Sequence, residues 1–264
     1  MKTVIFTDLD GTFLNHDDYS FEASSEALAC IFKKEIPLIF TTSKTKIEVE
    51  LLQQKVAIKE PFIVENGAAL FIPKNYKGFD FSFLTAFEDY YVLQLGVAYS
   101  QVLKFYNACK KQFGMLGFSD MTDDEVVKYT GLPLESAKLS KIRDFTEPFV
   151  LKEEAALDIL EKLASENELK ITKGGRFYHL IGKNQDKGKA VEKCAEIFEK
   201  IYKEKVKSIG LGDGQNDVPL LNSVDVPIAI QNHKGEYISL TNSDLQKSSF
   251  KGAKGWNEMV LKNV

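Results

Sequence analysis

The chain has only three cysteines, Cys30, Cys109 and Cys194, widely separated and without a CxxC pairing. That excludes a disulfide framework and a thiolate zinc site, and it suits a reducing compartment. Long apolar runs are also missing: nothing approaches the roughly 20 residues of a membrane span. Met1 to Phe6 leads straight to Asp8 and Asp10, leaving no apolar segment of signal-peptide length. A cytoplasmic protein with no membrane partner is expected. There is no basic excess either, since 34 Lys and Arg face 38 Asp and Glu, and the net charge of -4 argues against a nucleic-acid-binding body. With 7 Pro and 17 Gly in 264 residues, the chain is neither low-complexity nor collagen-like. Its hydrophobic share of 44% is enough for one large domain or two moderate ones.

Apolar runs of strand length alternate with stripes of helical spacing. Thr3–Thr7, Ile36–Thr41, Phe62–Val64, Val206–Leu211 and Pro227–Ile230 read as strands covered on both faces. Helices are expected over Ala23–Ile31, after the Thr45/Glu48 capping-box pattern, along Ala190–Ile201 and around Trp256–Leu261. This alternation predicts an α/β fold with a doubly wound, mostly parallel sheet. Between about Phe87 and Gly182 the texture changes. A strand at Tyr90–Leu95, helices near Tyr99–Tyr106, after Thr122/Glu125 and along Leu157–Leu163, an extended Pro148–Leu151, and a Leu169–Thr172/Phe177–Ile181 hairpin turning at Gly174-Gly175 read as an inserted α+β domain. The expected division is a core of residues 1–86 and 183–264 and an insert of 87–182.

Polar chemistry gathers in four segments expected at the carboxyl ends of core strands: Asp8/Asp10, Thr41-Thr42-Ser43-Lys44, Lys187 opening a helix, and Asp213/Asp217. Ligands bind at that edge of a doubly wound sheet. One Asp pair would be an ordinary turn, because Asp and Gly are common turn formers. Several carboxylates converging on one crevice instead require a cation, and hard oxygen donors without a Cys or His cluster point to Mg2+, whose usual companion is phosphate. An Asp carboxylate can attack phosphorus, and a second Asp two residues on can protonate the leaving oxygen and then activate water. Lys187 and a hydroxyl of Thr42 or Ser43 are expected to hold the phosphoryl oxygens.

Asp8-Leu9-Asp10-Gly11-Thr12, Thr42, Lys187 and Gly212-Asp213-Gly214-Gln215-Asn216-Asp217 resemble, in order and spacing, the four motifs of the haloacid-dehalogenase-like phosphohydrolases, with a cap inserted between the second and third. More narrowly, Thr42-Ser43-Lys44-Thr45, Glu65-Asn66-Gly67, Gly117–Thr122, Arg143–Phe149 and Gly174–His179 are similar to the mannosyl-3-phosphoglycerate phosphatases, a likeness that spans nearly the whole chain. The resemblance implies a Rossmann-like core, with Asp8 as nucleophile, Asp10 as general acid and base, and Asp8, the Asp10 carbonyl and Asp213 as Mg2+ ligands supported by Asp217. It implies substrate contacts at Ser43, Lys44, Glu65, Asn66, Arg143, Arg176, His179 and Asn216. From residue type alone, Arg143 and Arg176 stand equally as solvated charges or as bidentate anion partners, and His179 as a packed histidine or a sugar or glycerate contact. No role is assigned to His16 or His233. The expected reaction is phosphate removal from a mannosyl- or glucosyl-3-phosphoglycerate. A general sugar-phosphate phosphatase comes next, then a phosphomutase, and from another class a phosphoryl-receiver module, which typically lacks so large an insert.

Overall fold

The computed structural model describes residues 1–264. The first half of the core runs β1 (Lys2–Thr7), α1 (Ser25–Lys33), β2 (Leu38–Thr41), α2 (Lys46–Val56), β3 (Phe62–Val64), β4 (Ala69–Pro73), β5 (Thr85–Phe87) and β6 (Tyr90–Gln94). There follow α3 (Tyr99–Phe113), β7 (Met115–Gly117), α4 (Asp123–Thr130), α5 (Leu134–Ser140), β8 (Glu147–Leu151), α6 (Leu157–Glu166), β9 (Leu169–Gly174) and β10 (Phe177–Gly182). The chain closes with α7 (Lys187–Tyr202), β11 (Val206–Gly212), α8 (Val218–Asn222), β12 (Val226–Gln231), β13 (Gln246–Lys251) and α9 (Gly252–Asn263).

A nine-stranded sheet takes the order β13-β12-β11-β1-β2-β3-β4-β6-β5. The strands from β13 to β3 are parallel, and β4, β6 and β5 continue the sheet antiparallel. Alternation along the central strands sorts their side chains into two layers. Ile5, Leu38, Phe40 and Ile209 pack with Ala27 of α1 and Trp256 of α9. Val4, Phe6, Ile39 and Ile63 pack with Val191 and Phe198 of α7. Ile5, Phe6, Ile39 and Phe40 are fully buried, each contributing about 1.5–3 kcal/mol by leaving water. The Thr45/Glu48 box caps α2, with Glu48 Oε2 accepting from Thr45 N at 2.9 Å, and Thr122/Glu125 caps α4 in the same way.

Four antiparallel strands, β7-β8-β10-β9, form the second sheet. Tyr178 and Leu180 of β10 pack with α3 and α6 in a separate apolar cluster. Period-two alternation therefore turns the intervening His179 to the opposite face, toward the nine-stranded sheet. Two sequence expectations need correction. The Tyr90–Gln94 strand belongs to the nine-stranded sheet and not to the insert, because it pairs along its whole length with β4. Its membership is decided by that partner, which carries no turn or periodicity cue. In the hairpin, Gly174 pairs with Phe177, so the turn residues are Gly175 and Arg176, one place later than the Gly-Gly pattern suggests.

Candidate active site

The site lies where β1, β2 and β11 end. Asp8 N donates to Leu211 O at 2.9 Å, extending the β1–β11 pairing by one rung before the chain turns. Gly11 makes that turn with φ +81°, and a Cβ there would stand 2.5 Å from Asp213 Oδ2, so only glycine fits. Beside it, Thr12 Oγ1 donates to Asp213 Oδ1 at 2.8 Å. The loop after β11 is tied by Asp217 Oδ2, which accepts from the backbone N–H groups of Asp213 (3.1 Å) and Gly214 (2.9 Å).

Lys187 reaches the centre from the first turn of α7. That helix follows β10 of the smaller sheet, so the expectation that Lys187 sits after a core strand is corrected: the crossing segment 183–186 brings it in. Its Nζ lies 2.6 Å from both Asp8 Oδ1 and Asp217 Oδ1, with the side chain fully enclosed. Burial alone would lower the ammonium pKa, but Asp217 and Asp8 outweigh it and raise the value. Burial and then the Asp217 charge push Asp8 up to about 7, against the opposing pull of Lys187. Asp213 is raised as well, by burial and then Asp8.

These shifts describe negative charge crowded beyond what one ammonium offsets. Carboxylate oxygens of Asp8, Asp213 and Asp217 lie within 4.8 Å of one another, and Asp10 Oδ1 is buried with no hydrogen-bond partner. An all-oxygen cluster of this kind fits a divalent cation. The other oxygen of Asp10, Oδ2, is paired with Lys44 Nζ at 2.9 Å, so Lys44 orients Asp10. Thr42 Oγ1 accepts from Lys44 N at 3.2 Å, which leaves its proton free to donate, while Ser43 lines the cavity.

Above these groups the two sheets enclose a cavity of about 600 Å3. Of the expected substrate-contacting residues, Ser43, Lys44, Arg143, Arg176, His179 and Asn216 line it; Glu65 and Asn66 do not. Glu65, 1% exposed, accepts from the N–H groups of Asp144 (2.9 Å), Phe145 (3.2 Å) and Thr146 (2.8 Å) and from Thr146 Oγ1 (2.8 Å). It is a joint between the loop after β3 and the loop before β8. Arg143 completes that joint: Nε donates to Thr146 O (2.9 Å), Nη1 to Ser140 O (3.1 Å) and Nη2 to Ser43 O (2.7 Å), with Glu65 Oε2 at 3.4 Å from Nε. Protein acceptors thus meet each of the three Arg143 nitrogens, while its side chain also borders the cavity.

Asn66 Oδ1 accepts from Asn216 Nδ2 at 3.1 Å, and Asn216 packs under Gly174 of the hairpin. The left-handed run Glu65, Asn66, Gly67 (φ 48°, 59° and 86°) puts two non-glycine residues where each costs about 1–2 kcal/mol, a strain these contacts hold in place. At Gly67 a Cβ would meet Asp186 O at 2.1 Å and Lys187 N at 2.9 Å, so the loop lies directly against the start of α7. His179 is 6% exposed, and its Nδ1 has no partner. Burial, then the charges of Arg143 and Lys187, lower its pKa to about 3 and keep the ring neutral.

Sequence reasoning missed Thr12, Gln185, His16 and His233. Thr12 stands inside the Asp8–Thr12 motif and could have been found there. Gln185, fully buried, donates to Glu65 O at 2.6 Å and accepts from Gly182 N at 3.1 Å, in a turn with no distinguishing pattern.

A family model described as haloacid dehalogenase-like hydrolase matches residues 5–243. A protein of Persephonella marina named glucosyl-3-phosphoglycerate/mannosyl-3-phosphoglycerate phosphatase is 49% identical over 97% of this chain and 95% of its own. One of the same name from Methanococcoides burtonii is 40% identical over 99% and 97%. Among solved structures, a haloacid dehalogenase-like hydrolase of B. subtilis superposes with TM-score 0.71 over the full length of both chains at 15% identity, a likeness of fold. No helix is long and apolar enough to cross a membrane.

Proposed function

Since the chain belongs to the haloacid dehalogenase-like hydrolases, we propose that its cavity removes phosphate from a mannosyl- or glucosyl-3-phosphoglycerate, through an aspartyl-phosphate at Asp8. The enzyme is a phosphatase of that superfamily. The observation that carries the mechanism is the Asp8–Lys187–Asp217 bridge, with Asp10 opening on the same cavity. The substrate class is supported by the relatives 49% and 40% identical, which span nearly the whole chain.

Asp8 attacks phosphorus as the ester P–O bond breaks, and the departing oxygen takes a proton from Asp10. Lys44 holds one oxygen of Asp10, leaving the unpartnered Oδ1 to carry that proton. Asp10 then takes a proton from water, whose oxygen attacks phosphorus as the P–O bond to Asp8 breaks, freeing phosphate and the Asp8 carboxylate. Lys187 fixes the Asp8 carboxylate and offsets charge on the phosphoryl oxygens, with Thr42 and Ser43 as hydroxyl donors. Asp8, Asp213, the Asp10 carbonyl and, in support, Asp217 would hold a divalent ion, Mg2+ by the character of the donor set, which supplies further charge neutralisation when bound.

Residues 1–86 and 183–264, together with β6, form the catalytic core in this reading, and the smaller sheet with its helices is a cap that contributes specificity. Three unpaired cysteines support a cytoplasmic setting. The test is phosphate release across a panel of both glycosyl-3-phosphoglycerates, hexose phosphates and p-nitrophenyl phosphate. Preference for the glycosyl-3-phosphoglycerates is expected. Even turnover of hexose phosphates would favour a general sugar phosphatase, and a phospho-Asp8 stable for minutes without turnover would favour a receiver.

A further inference from the structure

Arg176 stands at the tip of the β9–β10 hairpin, and its guanidinium reaches across the cavity mouth to the core. Nη2 lies 2.9 Å from His16 Nε2, and Nη1 donates to the carbonyls of Thr130 (3.1 Å) and Tyr129 (3.4 Å). His16 in turn stacks flat on His233, with ring centroids 4.0 Å apart and planes 8° from parallel. The three residues come from the loop after β1, the loop after β12 and the cap, and all line the cavity that holds Asp8 and Asp10.

All three acceptors of Arg176 are neutral. A guanidinium with a carboxylate partner is oriented and neutralised together; one held by an imidazole nitrogen and two carbonyls is oriented and keeps its charge. For Nε2 to accept, the His16 ring must be uncharged and carry its proton on Nδ1. Its surroundings favour that form, since burial, His233 and Arg176 lower its pKa against the opposing pull of Asp17 and Asp10. The stacked His233 leaves the His16 ring little freedom to turn away. The deep end of the cavity is thus lined by Asp8, Asp10 and Asp213 with Lys44 paired to Asp10, while the mouth presents a guanidinium that no carboxylate of the protein pairs with.

We propose that His16, braced by His233, is a positioning residue that holds Arg176 without a carboxylate partner and aims it to receive a carboxylate of the substrate, so that the enzyme selects phosphoesters bearing a carboxylate over the same esters without one. This rests on the reading of the cavity as a phosphomonoesterase site and adds which atoms read the acid group.

The experiment compares kcat and KM for a glycosyl-3-phosphoglycerate and for the same ester with its carboxylate reduced to CH2OH. His16→Ala should lower the acid-to-alcohol ratio of kcat/KM about 10-fold, chiefly through KM, because the guanidinium is no longer aimed. His16→Gln, which keeps a neutral acceptor, should bring the ratio back to within about 3-fold of wild type. His16→Glu, nearly the same size but anionic, should depress it at least as far as His16→Ala. A ratio unmoved by His16→Ala, or kept by His16→Glu, would overturn the proposal. Should the wild type release phosphate from neither ester, the substrate reading fails on its own. The same variants are then ranked by inhibition of p-nitrophenyl phosphate hydrolysis with 3-phosphoglycerate against glycerol 3-phosphate, where the same order of ratios is expected and an unchanged order overturns the proposal.

Discussion

Lys187 Nζ lies 2.6 Å from Asp8 Oδ1, joining residues 179 positions apart around the carboxylate proposed as the nucleophile. The enclosed ammonium holds the carboxylate in one orientation, and the proposed mechanism gives proton transfer to Asp10, two residues on. Asp8→Asn should therefore abolish turnover. Asp10→Asn should slow it by roughly 100- to 10,000-fold, the usual contribution of general acid–base help. A wild-type rate from either variant contradicts these roles.

Charge crowding among Asp8, Asp213 and Asp217 should make activity depend on a cation. Excess chelator should remove phosphate release and Mg2+ should restore it. Full turnover by protein shown to be metal-free would contradict this.

Glu65 and Arg143 are a buried pair, so removing one partner leaves the other charged and uncompensated. Arg143→Ala or Glu65→Gln should destabilise the protein by about 3–5 kcal/mol. Activity should fall together on glycosyl-3-phosphoglycerate and p-nitrophenyl phosphate, because the joint positions Ser43 and the cap for both. Denaturant titration alongside both assays checks this. Loss confined to the larger substrate, with stability intact, would restore Arg143 as a direct substrate contact.

His179 gives stability a pH dependence of predictable sign. With its pKa lowered to about 3 in the folded protein, the unfolded chain binds the extra proton between about pH 6.5 and 3. Its contribution is present above pH 6.5 and is lost as pH falls through that window. At pH 5, 1.5 units below the unfolded value, the loss is roughly 2 kcal/mol. Unfolding of His179→Gln and wild type at pH 7 and pH 5 measures it: the wild type should lose roughly that much more than the variant. Equal losses would mean that His179 is accessible to protons when folded.

The core strands and the convergence of Asp8, Asp213 and Asp217 at one edge could be read from the sequence because their information is local. Apolar strand runs such as Thr3–Thr7 and Val206–Leu211 end in acidic loops, and fold topology brings such loops together. Pairing information is not local. Ala69–Pro73 carries no cue that it recruits Tyr90–Gln94 into the larger sheet. Arg143 looks the same whether it faces an anion or the Ser43 carbonyl, because that choice depends on packing between segments far apart in sequence. His16 and His233 are likewise silent until folding stacks them.

Gly67 marks a position with no room for a side chain. Its missing side chain lets the loop after β3 lie against the carbonyl of Asp186 and the backbone nitrogen of Lys187. One methyl group there would push the first turn of α7 outward and carry the ammonium away from Asp8. The spacing between Asp8 and its counter-charge is therefore gauged by the thickness of a bare backbone, at a position with no functional group. A substitution at this crossing should disturb the site while leaving Asp8, Asp10, Lys187 and Asp213 themselves unaltered.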